Sequence, residues 1–374
     1  MPEIRFDFFQ VITIAAIINS LIFSVLLLRK KENQAANYFL SLLLFSIGYS
    51  LAAQLCIDLG VYNYYPWLHW LPAKLAYWIG PALYFYVKAL TSQPFVFRKA
   101  YLWHFAWLIF EYPHSIYHLQ LGRGNPYPRL HNFTEALGAY ALFPLLVYAF
   151  FSYRLVKDYQ KALQDQYSTT ESLTLDWLHQ LIRLVGLLLA TAVVMHAVDF
   201  RIFYDFDMEF FEGTLLQYDG IITFLFVGVI YWLSIGGLIQ SQLSLNREVF
   251  VPTDKISAKD YSETIDRLVQ TMKEEKLFLD PALSISKLAQ HTGLAEREIS
   301  NALNQQLKKN FYAFVNEFRV EEVKKRLADA QYAHLKILSI AFDAGFNSKA
   351  TFNRIFKEYT GTSPKSYQAV NKTH

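Results

Sequence analysis

Two sets of side chains in the C-terminal third of this 374-residue chain have the chemistry of base-edge recognition. Arg297, Ser300 and Asn301 form the first set, with Gln305 beyond them; Lys349, Asn353, Arg354 and Lys357 form the second. Arg can fork onto guanine and Asn or Gln onto adenine, while Lys and Ser suit phosphate oxygens. Residues three and four apart share one face of a helix. Each set therefore needs a helix whose opposite face is apolar and packed. Ile299 and Leu303 supply that face for the first, and Phe352, Ile355 and Phe356 for the second.

The elements that must hold these helices are legible nearby. From Leu335 to Tyr367 the pattern reads helix, tight turn, second helix, stop. Ile337, Leu338, Ile340, Ala341 and Ala344 form an apolar stripe, Gly345 tolerates the positive φ that ends a helix, and Ser348 can cap the next. Two helices joined through a glycine turn, the second with a basic, amide-rich free face, describe a DNA-reading helix-turn-helix. An ordinary αα-hairpin with a solvated charged face fits the spacing equally. The same pattern runs from Leu283 to Leu307, with Ser284 as a cap, Ile285, Leu288 and Ala289 inward, and Gly293 as the stop. Between them, Phe311, Phe314, Val315, Phe318 and Leu327 mark one side of a longer helix.

Ala341, Gly345, Phe346, Ser348, Phe352, Arg354, Phe356, Lys357, Gly361, Ser363, Pro364 and Tyr367 together resemble the C-terminal signature of AraC-type transcription regulators. The resemblance covers roughly Leu283 to Tyr367. It implies two recognition helices in successive major-groove segments, about 34 Å apart along the duplex, joined by the helix from Phe311. It assigns base contacts to Arg297, Ser300, Asn301, Lys349, Asn353 and Arg354, and phosphate contacts to Ser348 and Lys357. Ala295 stands where the family usually caps with Ser or Thr, Lys308 where it commonly has Gly, and Gln368 where it often has Arg. A lost cap costs about 1 kcal/mol without removing the reading face.

Composition points elsewhere for the rest of the chain. Hydrophobic residues are 53% and charged ones 18%, with 31 Phe and 25 Tyr, which is too oily for a soluble protein of this size. The net charge is only +3, with the basic excess in the C-terminal third, where a nucleic-acid partner requires it. The single cysteine, Cys56, excludes an internal disulfide framework and a Cys-based zinc site. No metal or cofactor is implied. Apolar runs at 8–28, 37–57, 68–90, 100–118, 136–153, 179–199 and 215–239 approach the length that crosses a bilayer. The first lacks the basic start, short core and small-residue cleavage site of a signal peptide.

With the N-terminus outside, short inner loops hold Arg29, Lys30, Lys31, Lys88, Arg98, Lys99, Arg154, Lys157 and Lys161, as the positive-inside pattern demands. Seven crossings then deliver the C-terminal part to the cytoplasm, where DNA is. Ionisable residues inside spans cost about 2.5–3.5 kcal/mol each and need partners or a wet cavity. Lys74, Glu111, His114, His196, Asp199 and Asp219 qualify, all toward the outer side. They form either an outward ligand pocket or a set of structural ion pairs. Pro81, Pro113 and Pro144 can kink spans three to five.

The sequence thus predicts an all-α protein: a seven-helix polytopic membrane bundle over 1–239, a linker and signalling helix over 240–282, and an all-α DNA-binding domain with two helix-turn-helix units over 283–370. The helical stripe of Ile265, Leu268, Val269 and Met272 either pairs with its copy in a dimer or leans on the DNA-binding part. The expected protein is a bacterial inner-membrane transcription regulator, not an enzyme. Its expected partners are double-stranded DNA, lipid, a small-molecule or extracytoplasmic cue, and a second copy of the chain. A membrane transporter or enzyme with an appended DNA-binding domain is the rival reading. No His-Glu-x-x-His, nucleophile elbow or P-loop supports an enzyme.

Overall fold

The computed structural model describes residues 8–65, 67–68, 71, 75–92, 95–110, 142–170, 175–186, 189–190, 209–240 and 260–371. Among them every regular element is helical apart from one isolated bridge. The chain forms two compact units, one of residues 1–157 and 175–243, the other of residues 158–174 and 244–374.

The first unit contains α1 (Phe8–Arg29), α2 (Gln34–Asp58), α3 (Ala76–Thr91), the start of α4 (Leu142–Gln166) and α5 (Glu209–Ile239). A 3-10 stretch covers Lys99–Phe110, and 176–186 is helical. Helix α2 packs against α1 and α3, and α5 against α1. Two of these helices, α1 and α2, are long and apolar enough to cross a membrane by length and composition.

The ends of the apolar runs differ from the helices they become. Of the run expected over 68–90, Ala76–Thr91 is α-helix, with Pro81 inside it. The run expected to stop at 153 continues as helix to Gln166. Nothing from Arg154 to Gln166 breaks a helix: the stretch has no Gly or Pro and is rich in Leu, Lys, Gln and Ala. Helix α5 starts at Glu209 rather than 215.

Helix α1 is inside out by the standards of a soluble protein. It buries Thr13, Ala16, Asn19, Ser20 and Ser24, while Phe8, Val11, Ile18, Ile22 and Val25 are each at least half exposed. Ala16, Ser20 and Ser24 recur every fourth residue and let α2 approach closely. Ser24 Oγ lies 2.6 Å from Ser41 Oγ, and Ser41 Oγ donates to Ser24 O at 3.0 Å. Where α5 ends, Lys30 Nζ donates to the carbonyls of Gly237 (3.2 Å), Leu238 (2.7 Å) and Gln240 (2.9 Å). A cation at the C-terminal carbonyls of a helix complements its dipole.

The second unit contains α6 (Ser262–Glu274), α7 (Ile285–Thr292), α8 (Glu296–Gln305), α9 (Phe311–Ala328), α10 (Ile337–Asp343), α11 (Lys349–Thr360) and α12 (Pro364–Asn371). It has two apolar cores. Leu268 and Met272 of α6 join Leu288, Ile299, Leu303, Phe311 and Phe314 in one. Val320, Val323 and Leu327 join Ile340, Phe346, Phe352 and Phe356 in the other. Helix α9 feeds both, as the rod expected between two helix-turn-helix units. Helix α6 leans on the first core, the second of the two roles its stripe left open.

A Cβ on Gly48 of α2 would collide with Ser20 of α1, whereas one on Gly228 of α5 would meet nothing. We expect Gly48→Leu to destabilise the detergent-solubilised protein by on the order of 1–3 kcal/mol. Gly228→Leu should leave its thermal unfolding near wild type.

Candidate nucleic-acid interface

Each reading helix is set by local chemistry at its ends. Ser284 Oγ accepts from Lys287 N at 3.3 Å and starts α7, which stops at Gly293 with φ +70°. Helix α8 follows from Ala295, whose side chain makes no cap. Ile299, Ala302 and Leu303 are buried, which turns Arg297 outward and leaves Ser300 and Asn301 half-buried. Asn304 is exposed one turn further along, and its Nδ2 donates to Ser300 Oγ at 3.3 Å. Gln306, just past the helix, turns back onto α6: its Oε1 accepts from Tyr261 N at 2.8 Å.

In the second pair, Gly345 takes φ +96° and Ser348 Oγ accepts from Thr351 N at 3.4 Å. Phe352, Ile355 and Phe356 are buried, so Lys349, Asn353, Arg354 and Lys357 stand in solvent. Lys349, Asn353 and Lys357 line one open cleft with Lys365, over a floor that includes Ile337, Leu338, Phe352 and Pro364. This is a cationic, amide-bearing surface with apolar patches, suited to phosphates at its rim and base edges or thymine methyls within. Arg354 is turned partly aside. Its Nη2 donates to Tyr312 Oη at 3.0 Å and its Nη1 lies 3.4 Å from Glu358. Reading a base with Arg354 therefore requires exchanging these contacts, the first of them to the buried Tyr312. Ser348 Oγ is engaged as the cap of α11.

Sequence reasoning missed Lys365 and Asn304. Lys365 follows Pro364 at the start of α12, and a lysine there is visible only as a single charge after a Ser-Pro step. Asn304 continues the Arg297, Ser300 and Asn301 spacing by one turn and could have been found from it. Of the outer-side cluster, Lys74, Glu111, His114, His196 and Asp199 lie outside the described residues. Asp219 falls on α5, with its side chain outside them.

Residues 288–369 match the helix-turn-helix domain family. The second unit is thus similar, over that stretch, to helix-turn-helix domains. An HTH-type transcriptional regulator of Staphylococcus aureus (strain COL) is 33% identical over 103 residues, 28% of this chain and 13% of that protein. The melibiose operon regulatory protein of Escherichia coli (strain K12) is 28% identical over 93 residues, 25% of this chain and 30% of that protein. The chain thus spans only a small part of the relatives it matches. No solved structure gives a significant match.

Capping makes a direct test. Ala295→Ser restores a Ser-x-x-Glu pattern with Glu298, which is worth about 0.5–1 kcal/mol locally. Amide hydrogen exchange at Arg297 and Glu298 should slow accordingly. Ser348→Ala should speed exchange at Thr351 about five-fold, the equivalent of about 1 kcal/mol.

Proposed function

We propose that the protein is a membrane-tethered transcription regulator that binds specific duplex DNA through two reading helices and answers to a cue received by its first unit. The observation that carries the DNA-binding part is the pairing of two outward polar faces with two apolar cores. Arg297, Ser300 and Asn301 stand on α8, and Lys349, Asn353 and Lys357 on α11. The relatives' names as transcriptional regulators support the same reading.

The membrane part is supported by α1, which turns bulky apolar side chains outward and small polar ones inward. In water that arrangement exposes a large apolar surface; in lipid it is the expected one. A further support is that residues 158–170 and 260–371 belong to one compact unit. A chain that crosses a membrane must then cross an even number of times between them. The apolar runs over 179–199 and 215–239 supply two crossings. The positive-inside pattern assigns both segments to the cytoplasm. Action as a homodimer, and a cue bound near Lys74, Glu111, His114, His196, Asp199 and Asp219, complete the proposal.

Genome-wide mapping of bound DNA yields the operator, and binding to it can be titrated against salt. Arg297→Ala and Asn353→Ala should each weaken operator binding by about 1–3 kcal/mol and relax preference at single base pairs. Lys357→Ala should weaken all sequences alike and lower the salt slope by about one. Equal loss for operator and random DNA in all three variants would refute the assignment of base contacts. Labelling of the C-terminal tail by a membrane-impermeant reagent in intact cells would refute the orientation.

A further inference from the structure

Residues 158–170, an inner loop by their charge pattern, are built into the DNA-binding unit. Tyr159, Ala162, Leu163 and Gln166 are buried and fall on one face of the last turns of α4. Beyond the helix, Tyr167 forms an isolated antiparallel bridge with Ser284, the residue that caps α7. Ser168 is 1% exposed; its N–H and its Oγ–H both donate to Leu283 O, at 3.1 and 2.7 Å. Asn310, the cap of α9, donates to Gln164 Oε1 at 3.1 Å.

The anchor of this docking is Arg319 of α9, itself 1% exposed. Its Nη1 donates to Ser168 O at 3.1 Å and Thr169 Oγ1 at 3.3 Å, and its Nη2 to Ser168 Oγ at 2.9 Å. Other donors go to Phe278 O and Asp280 O. A buried guanidinium must have acceptors, and three of these come from the docked segment. If the segment leaves, water takes their place, because the same departure opens the site.

The segment also reaches the reading helix. The Asp165 carboxyl lies near the Asn304 amide, which shares the outward face of α8 with Arg297, Ser300 and Asn301. Burial pushes the Asp165 carboxyl above its ordinary value. A carboxylate held at the edge of a face that meets DNA repels the negatively charged duplex. Helix α4 itself begins at Leu142, in the other unit, so one continuous helix joins the apolar region to Asp165.

We infer that residues 158–170 form an internal clamp: docked on Arg319 and on the Leu283–Ser284 backbone, with Asp165 beside α8, they hold α8 away from DNA, and displacement of α4 releases it. This rests on the DNA-binding reading above, and it names the element through which the first unit acts. The test uses the full chain in detergent micelles and a disulfide across the bridge pair. Residues directly opposite in an antiparallel bridge have a Cα separation that suits one. Tyr167→Cys with Ser284→Cys, in a Cys56→Ser background, is compared oxidised and reduced on the operator, so the cost of losing the Ser284 cap is common to both states. Oxidation, with the crosslink verified by mass, should weaken operator binding about ten-fold, and reduction should restore it. Equal or tighter binding by the oxidised protein overturns the clamp. Absence of binding in both states overturns the DNA-binding reading and the clamp with it. Asp165→Asn provides a second readout without a crosslink: it should tighten operator binding several-fold at low salt, and unchanged or weaker binding counts against the clamp.

Discussion

The second unit is arranged around the buried guanidinium of Arg319. It lies on the rod α9, between the two cores, and its acceptors come from elements far apart in sequence. Phe278 and Asp280 precede the first helix-turn-helix, and Ser168 and Thr169 follow α4. On the other side, the Phe346 ring of the second helix-turn-helix lies 6.0 Å from the guanidinium carbon. Gly345 is required here twice over. Its φ of +96° disfavours a side chain, and a Cβ would strike Phe278 O and Arg319 Nε. A lysine could not replace Arg319, since one ammonium cannot reach acceptors on several sides of a planar fork. Burying the charge costs several kcal/mol before compensation. What that cost brings is a fixed relation among α9, the lead-in to α7 and the turn before α11.

In the first unit the constraint is reversed. Where the surroundings are as apolar as Leu, hydrophobicity gives helices no reason to associate, and close packing with polar pairing must do it. The buried stripe Thr13, Ala16, Ser20 and Ser24 on α1, and the reciprocal Ser24–Ser41 bonds, combine close packing with polar pairing in this way, as the proposed membrane setting requires. Lys30 adds a second tie, binding the end of α1 to the last carbonyls of α5. Trp177 strengthens the same corner by donating to Gln240 Oε1 at 2.9 Å. The residue at which the chain leaves α5 is thus held from two directions, so its position depends on α1 as well as on α5.

Periodicity and end signals made the helix-turn-helix pairs legible. Ser284, Gly293, Ser348 and Gly345 do what their residue types imply, and the stripes through Ile299, Leu303, Phe352 and Phe356 are buried as spacing requires. Among the described residues two of the seven expected runs are helices of spanning length and apolarity, and the end of the run expected to stop at 153 was not legible, because hydropathy falls at Tyr153 while helix propensity does not. That is why α4 outlasts its run by thirteen residues. The docking of 158–170 left a fainter trace. Tyr159, Ala162, Leu163 and Gln166 keep helical spacing, but their neighbours Asp158, Lys161 and Asp165 make the stretch look like solvated loop. Arg319 was hidden for a related reason. It continues the face of Phe311 and Val315, and a single charge in an apolar stripe reads as an interruption until its acceptors are seen.

The two helix-turn-helix units differ in how far each stands by itself, and this bears on which of them is regulated. Helix α11 is capped by Ser348 and ends at Gly361 with φ +75°, so both ends are satisfied by residues suited to them. Helix α8 has an uncapped start at Ala295. The turn beyond its end places Lys308 at φ +54°, a conformation that costs a residue with a side chain about 1 kcal/mol. Neighbours supply what α8 lacks. Gln306 is held by Tyr261 and Ser262, Glu298 accepts from Thr264, and Asn304 meets Asp165. A helix whose ends depend on neighbours is sensitive to whether those neighbours are in place. The first reading helix, contacted by both α6 and the tail of α4, is the one that rearrangement elsewhere can move. The second, complete in its own capping, can keep its geometry while that happens.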